Sequence, residues 1–489
     1  MKSYPFLPSV VLLFSFYLLS GQTYISPDTG VSWTLDDLAV YSGGVVEISG
    51  NAYLLNGEVV ISGNDTLILE GAVEVLCAAS GKLTIEGVLT ASGDEPKVFD
   101  VQEGTAHFAG FSFNGSPKTS VLNGLHITHC QDISLINSDV RFVNSYFLQN
   151  GFAGEPGFLT AFQSFLSIEN CFFQENEGAA VMTAANSQSP VYILNSVFVH
   201  NNTGNTFNVP QLNFGATGVA DTVKVINCTI EGEATISGGI GLSTLAGGNL
   251  NAVIYGNNIS LNRYGIAVYG NDIHAGISSN TIVENNIQNL PMEGGSGIMV
   301  YGNGSTQVDI LGNTIEGNLW GVTLLNAPGV FLGDSITHGN NIIRNNGNEG
   351  QTYNLYNNTA NDYYALYNYW GANTQGEIED GIFHYADDNS LGQVYFIPFL
   401  EEPPVQVREE TAQTDKQQAL FYPSPAKDFL RFSNEGSKQV GIFSLDGHLV
   451  YFHSAVKRSV YLPDLKSGVY LVKIQSGNND VTWQKLVIK

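Results

Sequence analysis

Tyr192 and Lys224 are the residues best placed to act as a proton-transfer pair, with Arg141 as a nearby cation. A β-elimination needs a base, a part that Lys, Tyr or His can take, and a positive group to neutralise a carboxylate beside the carbon that loses its proton. All three residues fall on one outward position of a repeated strand, in the series Arg141, Ser167, Tyr192, Lys224, Val253, Gly276 and Asp309. Tyr192 and Lys224 are therefore expected about one strand spacing apart. The alternative is a solvated sheet face carrying isolated polar residues. Hydrolysis by paired carboxylates finds only fragments, in "THGNN" (337–341) and "ADDNS" (386–390), without the companions such a site needs. Asp387 and Asp388 are solvated or in weak contact with Ca2+, and no metal-ligand pattern or other cofactor motif stands out. His274 and His338 are lone turn histidines.

The aromatic residues carry a second kind of chemistry. Tyr269 and Tyr301 occupy the same place in "GIAVYGN" (265–271) and "GIMVYGN" (297–303), and "YNLYNNTANDYYALYNYW" (353–370) adds Tyr364 and Trp370 among other rings. Flat rings interleaved with amides and hydroxyls suit sugars and adaptable protein contacts. The other reading is a stack of tyrosines that closes the end of a β-helix.

What positions these residues is a repeat. An apolar anchor is followed three residues later by Asn at Phe147, Phe173, Phe198, Ile259, Ile282, Ile315 and Ile342; Ile230 fits between them with Glu233 in the Asn place. Five residues before the anchor lie Phe142, Ile168, Ile193, Val225, Ile254, Ile277 and Ile310, and a further apolar residue precedes each by two, so the segment is a strand with one buried face. Coils of short strands between Gly/Asn turns cannot bury an apolar face alone, but stacking makes the face continuous. Two residues before the anchors runs a ladder of Ser145, Cys171, Ser196, Cys228, Asn257, Asn280, Asn313 and Asn340, read as a structural turn. In that register Cys171 and Cys228 are two coils apart, too far for a disulfide, and both are expected to be free, buried thiols. The expectation is all-β: a parallel β-helix domain over residues 22–400 that includes an N-terminal cap, with about 13 coils from about residue 45 to 400 in a rod about 60 Å long.

Composition narrows the partners. Residues 22–408 hold 37 Asp+Glu against 8 Lys+Arg, a net of about −29, whereas residues 409–489 hold 8 against 10. So acidic a body repels nucleic acid. Residues 1–21 have the form of a signal peptide, one Lys and then an apolar run from Val10 to Leu19, too short to span a bilayer. No transmembrane segment is expected after its removal.

Strands such as "VDILGNTI" and the closing "YNYWG" (367–371) resemble the right-handed parallel β-helix superfamily, which includes lyases, hydrolases, binding proteins and adhesins. The resemblance leaves two readings: a secreted or surface protein binding a glycan or surface partner, or a pectate/alginate-lyase-like enzyme or glycoside hydrolase on the same scaffold. "DTL" at 65, "DTV" at 221 and "DSI" at 334 resemble the Asp-Ser/Thr-apolar O-glycosylation acceptor of the Bacteroidetes.

Residues 401–419 are rich in Pro, Gln and charge and read as a linker. Residues 420–489 then show six or seven short strands of period two, the pattern of a small β-sandwich. This tail, through Tyr422, Pro423, Pro425, Asp446, Gly447, Leu465, Gly468, Val469, Tyr470 and the terminal "KLVIK", resembles the type A C-terminal sorting domain of the Bacteroidetes type IX secretion system, with Ser424 where that family usually has Asn. The resemblance implies the type IX secretion machinery as a partner and an extracellular or outer-surface location.

Overall fold

A computed structural model describes residues 22–404, apart from 94, 186, 291 and 292. In the tail it describes residues 421–488, apart from 423–428, 433–437, 445–448, 457–458, 463–464, 467 and 477–480. The segment read as a signal peptide, most of the linker, and Pro423, Pro425 and Gly447 lie outside the described residues. The chain divides into two compact units at residues 408 and 409.

The first unit is a parallel β-helix. Each coil visits sheet I, then sheet II, then sheet III, as in Phe108–Asn114, Ser120–Asn123 and Leu125–Thr128. Through the middle coils each strand pairs with the one three strands on, giving sheets of 14, 12 and 13 strands. At the start, Val46–Ser49 and Ala52–Leu55 pair antiparallel beside the helix Leu35–Tyr41, which opens on a capping box of Thr34 and Asp37.

The anchors form one inward column of sheet III. Phe147, Phe173, Phe198, Ile230, Ile259, Ile282 and Ile315 are fully buried, and the first three rings stack at 4.4 and 4.8 Å between centroids. The last repeat departs from the expected register by one residue. Ile315 pairs with Ile343, which is buried, while Ile342 faces outward. In "NNIIRNN" two apolar residues and two Asn pairs fit either frame, so the string alone does not decide.

That shift corrects the turn ladder, whose last repeat member is Asn341 rather than Asn340. Asn340 instead adopts the left-handed conformation at φ 51°. The same geometry precedes every ladder member: Asn144, Asn170, Asn195 and Asn227, then Gly256 and Ser279, then Gly312. An L-residue pays a steric penalty there that Asn and Gly tolerate, which explains the Asn/Gly richness of the turns. The side chain that follows accepts the backbone N–H of the preceding coil. Asn257, Asn280 and Asn313 receive Cys228, Asn257 and Asn280 at 2.8–3.0 Å, and Asn341 receives Asn313 at 2.9 Å.

A second ladder lines the turn from sheet III to sheet I, through Asn150, Asn176 and Asn201, then Asn262, Asn285, Asn318 and Asn346. At the coil of Ile230 the expected Glu233 is not in the ladder. Gln211 fills the gap from a neighbouring loop: its Oε1 accepts from the backbone and Nδ2 of Asn201 at 3.2 and 3.0 Å, and its Nε2 donates to Asn262 Oδ1 at 2.9 Å. A carboxylate has no N–H to pass along the row, whereas an amide both accepts and donates. Glu233 turns outward to His200 Nδ1 at 2.7 Å.

Cys77, Cys130, Cys171 and Cys228 are buried free thiols, and Ser196 separates the last two in the ladder. Burial pushes the Cys171 and Cys228 thiols up to about 12, so neither is a nucleophile near neutral pH.

The second unit packs two antiparallel sheets, one of Phe421–Tyr422, Phe429–Phe432 and Ser459–Tyr461, the other of Lys438–Ser444, Leu449–Val456, Gly468–Ser476 and Val481–Ile488. Leu430 and Phe432 from the first meet Val440, Ile442, Val472, Ile474, Leu486 and Ile488 from the second in a single core, the packing of a β-sandwich.

Candidate functional site

The outward column of sheet II places Arg141, Ser167, Tyr192 and Lys224 in direct succession. Lys224 Nζ lies 4.3 Å above the centre of the Tyr192 ring, so the cation meets the π face and not the phenolic oxygen. Phe165 packs edge-on against the same ring at 5.1 Å. Arg141 is two strands from Tyr192, roughly 10 Å away, and its Nη2 contacts Glu169 Oε2 at 2.6 Å. The trio is aligned but not convergent: each cation already has a neighbour that occupies it. Asp387 and Asp388 accept hydrogen bonds from the backbone of His384 and from Ser390. Among the described residues no group of three or more His, Cys, Asp or Glu is disposed to hold a metal ion.

Sheet I presents the tyrosines. Tyr269 and Tyr301 end the strands Ile266–Tyr269 and Ser296–Tyr301, pair in register, and stack at 4.6 Å with 16° between ring planes. They are 37% and 38% exposed, on a face whose inward neighbours are fully buried. Each ring therefore spends one face on its partner. The far face of Tyr301 looks toward Leu325, while that of Tyr269 looks toward Ser243, too short to cover a ring. A ligand meets one open ring face, two ring edges and two phenolic hydroxyls.

Tyr364 does not join this pair. It stacks on Tyr395 at 5.1 Å, in a small parallel pairing of Tyr363–Tyr364 with Val394–Tyr395. Trp370, expected as a ligand-binding ring, is 2% exposed and packs edge-on against Phe396, so it is withdrawn into the end of the core. Trp320, Tyr353, Tyr356 and Phe383 form a further cluster at the C-terminal end of sheet I, with Trp320 4.3 Å from Tyr353 and Tyr356 stacked on Phe383 at 4.9 Å.

Two buried charged residues that the repeat pattern did not flag fix loops, one beside sheet I and one at the N-terminal end of the β-helix. Arg263, 5% exposed, donates from Nη1 to Asn208 Oδ1 at 2.7 Å, from Nε to Gln288 Oε1 at 2.6 Å and from Nη2 to the Glu293 carbonyl, and its guanidinium lies 4.8 Å from the Phe207 ring. It ties together the long loops that border sheet I. Asp65, fully buried, accepts from Ser26 Oγ at 2.6 Å and from the backbone N–H groups of Asp28, Thr29, Gly30 and Val31 at 2.8–3.0 Å. Burial alone pushes its carboxyl up, but those hydrogen bonds outweigh it and hold the group below the ordinary carboxylate range. Asp65 of the "DTL" string is thus a buried structural staple.

In the tail, Gly468 opens the strand Gly468–Ser476, and Tyr470 donates its hydroxyl to the Lys466 carbonyl at 2.8 Å. Residues 420–489 match the family model of the secretion system C-terminal sorting domain. No curated protein and no solved structure matches the chain. No described helix is long and apolar enough to cross a membrane. Residues 420–489 are a type IX secretion sorting domain, appended to a parallel β-helix and directing its export.

Proposed function

We propose that the β-helix is a glycan-contacting protein that works at or beyond the outer cell surface, with Tyr269 and Tyr301 at its binding face and Tyr364 on a separate aromatic pair. The observation that carries this reading is the exposed, in-register stack of Tyr269 on Tyr301, where hydroxyls and one open ring face are held on a rigid sheet. Such a surface loses little conformational entropy on binding and offers both apolar and hydrogen-bonding contact. The test is a glycan array with the exported protein and a Tyr269→Ala/Tyr301→Ala variant. Binding is expected in the wild type and reduced about tenfold or more in the variant, a loss of about 1.4 kcal/mol. Absence of any bound glycan, or undiminished binding by the variant, overturns the reading. The competing enzyme reading is checked in the same preparation: release of unsaturated or reducing ends from a bound polymer would show the body to be a lyase or hydrolase.

The leader in residues 1–21 is proposed to deliver the chain to the periplasm before the tail acts. Deleting residues 421–489 should then leave the body in the periplasm, detected by fractionation. Undiminished export would refute the dependence on the tail.

A further inference from the structure

Nine consecutive strands of sheet I, from Gly157–Phe162 to Ile382–Phe383, contain no Asp, Glu, Lys, Arg or His. Over the same coils the other two sheets are not neutral. Sheet II carries Glu169, Lys224, His274 and Asp309, and sheet III carries Glu231, Glu316 and Arg344. The body as a whole has 37 acidic residues, so a charge-free face about 40 Å long, at about 4.8 Å per strand, is a local feature.

Its outward residues follow one unbroken column, from Thr160 through Asn213, Ala267 and Met299 to Tyr356 and Phe383. Tyr269 and Tyr301 stand beside it as a ridge. Within the column itself the loop before Leu212 leans over the floor at Gly241, where an added Cβ would come within 2.9 Å of Pro210 Cγ, so the open stretch of the strip runs from Ala267 toward Phe383. The strip thus combines small and apolar floor residues with hydroxyl and amide groups and has no ionic group to neutralise or repel.

We infer that this strip seats the glycan, and that the glycan is an uncharged polysaccharide lying along the helix axis. The inference rests on the glycan-binding reading above and adds the substrate class. An anionic polymer would have to desolvate a carboxylate or sulfate at every repeat with no cation on the strip to receive it, inside the field of a strongly acidic body. A neutral polymer loses only water contacts, which Tyr, Thr and Asn replace, while its apolar faces cover Ala267 and Met299.

The experiment is affinity electrophoresis of the exported protein in gels containing a neutral β-glucan, a neutral mannan, polygalacturonate or alginate, at low and high salt. Retention by a neutral polymer, insensitive to salt, is expected. Met299→Glu and, independently, Ala267→Glu should weaken retention about tenfold or more, while Val253→Glu on sheet II, with the same added charge, should leave it unchanged. Unaltered thermal midpoints would show that each variant is folded; two positions are used so that one misfolded variant does not decide the matter. Retention by polygalacturonate or alginate but by neither neutral polymer would overturn the inference while glycan binding stood. Retention by none of the four would overturn both. Equal losses from Met299→Glu and Val253→Glu would remove the strip as the seat.

Discussion

The amide ladders inside the turns and the tyrosine ladder on sheet I arise from the same stacking of coils, yet they do opposite things. Asn318 is 1% exposed; its Oδ1 accepts from the backbone and side chain of Asn285 at 3.0 and 3.3 Å, and its own N–H groups pass to Asn346. Every polar atom in that row is satisfied by the next coil, so nothing is left over for a ligand. Tyr269 and Tyr301 repeat with the same registration, but their hydroxyls face water and one ring face is open. Repetition alone therefore does not mark function. What separates a structural ladder from a binding one is whether its polar groups are consumed within the stack.

The comparison breaks most visibly at the amide. Asn318→Leu should strand the Asn285 backbone N–H and one of the two Nδ2 hydrogens, the other being kept by the Ile259 carbonyl, and two unsatisfied buried donors cost about 3–5 kcal/mol. The expected result is a clearly lowered denaturation midpoint with glycan binding retained below the transition. An unchanged midpoint would mean that water or a local shift replaces the ladder, and that the turns do not depend on its amides.

Asp65 extends the same logic to an acceptor that carries charge. Its folded carboxyl is held below the ordinary range, so its contribution to stability is fully present above the unfolded value of about 3.9 and is lost as pH falls through the folded value. Asp65→Asn replaces one acceptor oxygen by donors that face other donors, and should cost about 2–4 kcal/mol at neutral pH. Thermal midpoints measured from neutral pH down into the acid range should fall for the wild type below about pH 4 and change less for the variant. Equal slopes would show that other carboxylates govern the acid limb.

Much of this architecture is written locally. A buried column needs only period two within a strand, and a left-handed turn residue needs only Asn or Gly, so both are visible residue by residue. Gln211 is different: its side chain crosses from a loop into a ladder position of another coil, and nothing at position 233 announces that replacement. Arg263 likewise gains its meaning from loops distant in sequence. The pairing of Tyr269 with Tyr301, and a tyrosine stack as one reading of it, was legible from the matching "GIAVYGN" and "GIMVYGN", but which ring face stays open was not, because it depends on side-chain torsions and on the neighbours Ser243 and Leu325. The burial of Trp370 depends on how residues 382–400 close over the last coils, which no repeat encodes.

The exposed ladder itself should matter little to folding. Tyr269→Ala/Tyr301→Ala removes one stacked aromatic pair at the surface, worth about 0.5–1.5 kcal/mol beyond area burial, so its midpoint should move far less than that of Asn318→Leu even as binding falls. A large loss of stability would recast the tyrosines as part of the scaffold.

The smallest effect belongs to the column where chemistry first looked plausible. Lys224 sits over Tyr192, and Arg141 is paired with Glu169, all at a surface where such contacts contribute about 0–1 kcal/mol. Lys224→Met and Arg141→Gln should therefore shift the denaturation midpoint only slightly and leave glycan retention unchanged, since neither lies on the charge-free strip. A base acting in elimination must reach the reacting proton, whereas here the ammonium is directed onto a ring face. If either substitution abolished the release of unsaturated ends from a uronate polymer, the working face of the β-helix would be sheet II, and the contrast between a satisfied ladder and an open one would have pointed to the wrong side of the coil.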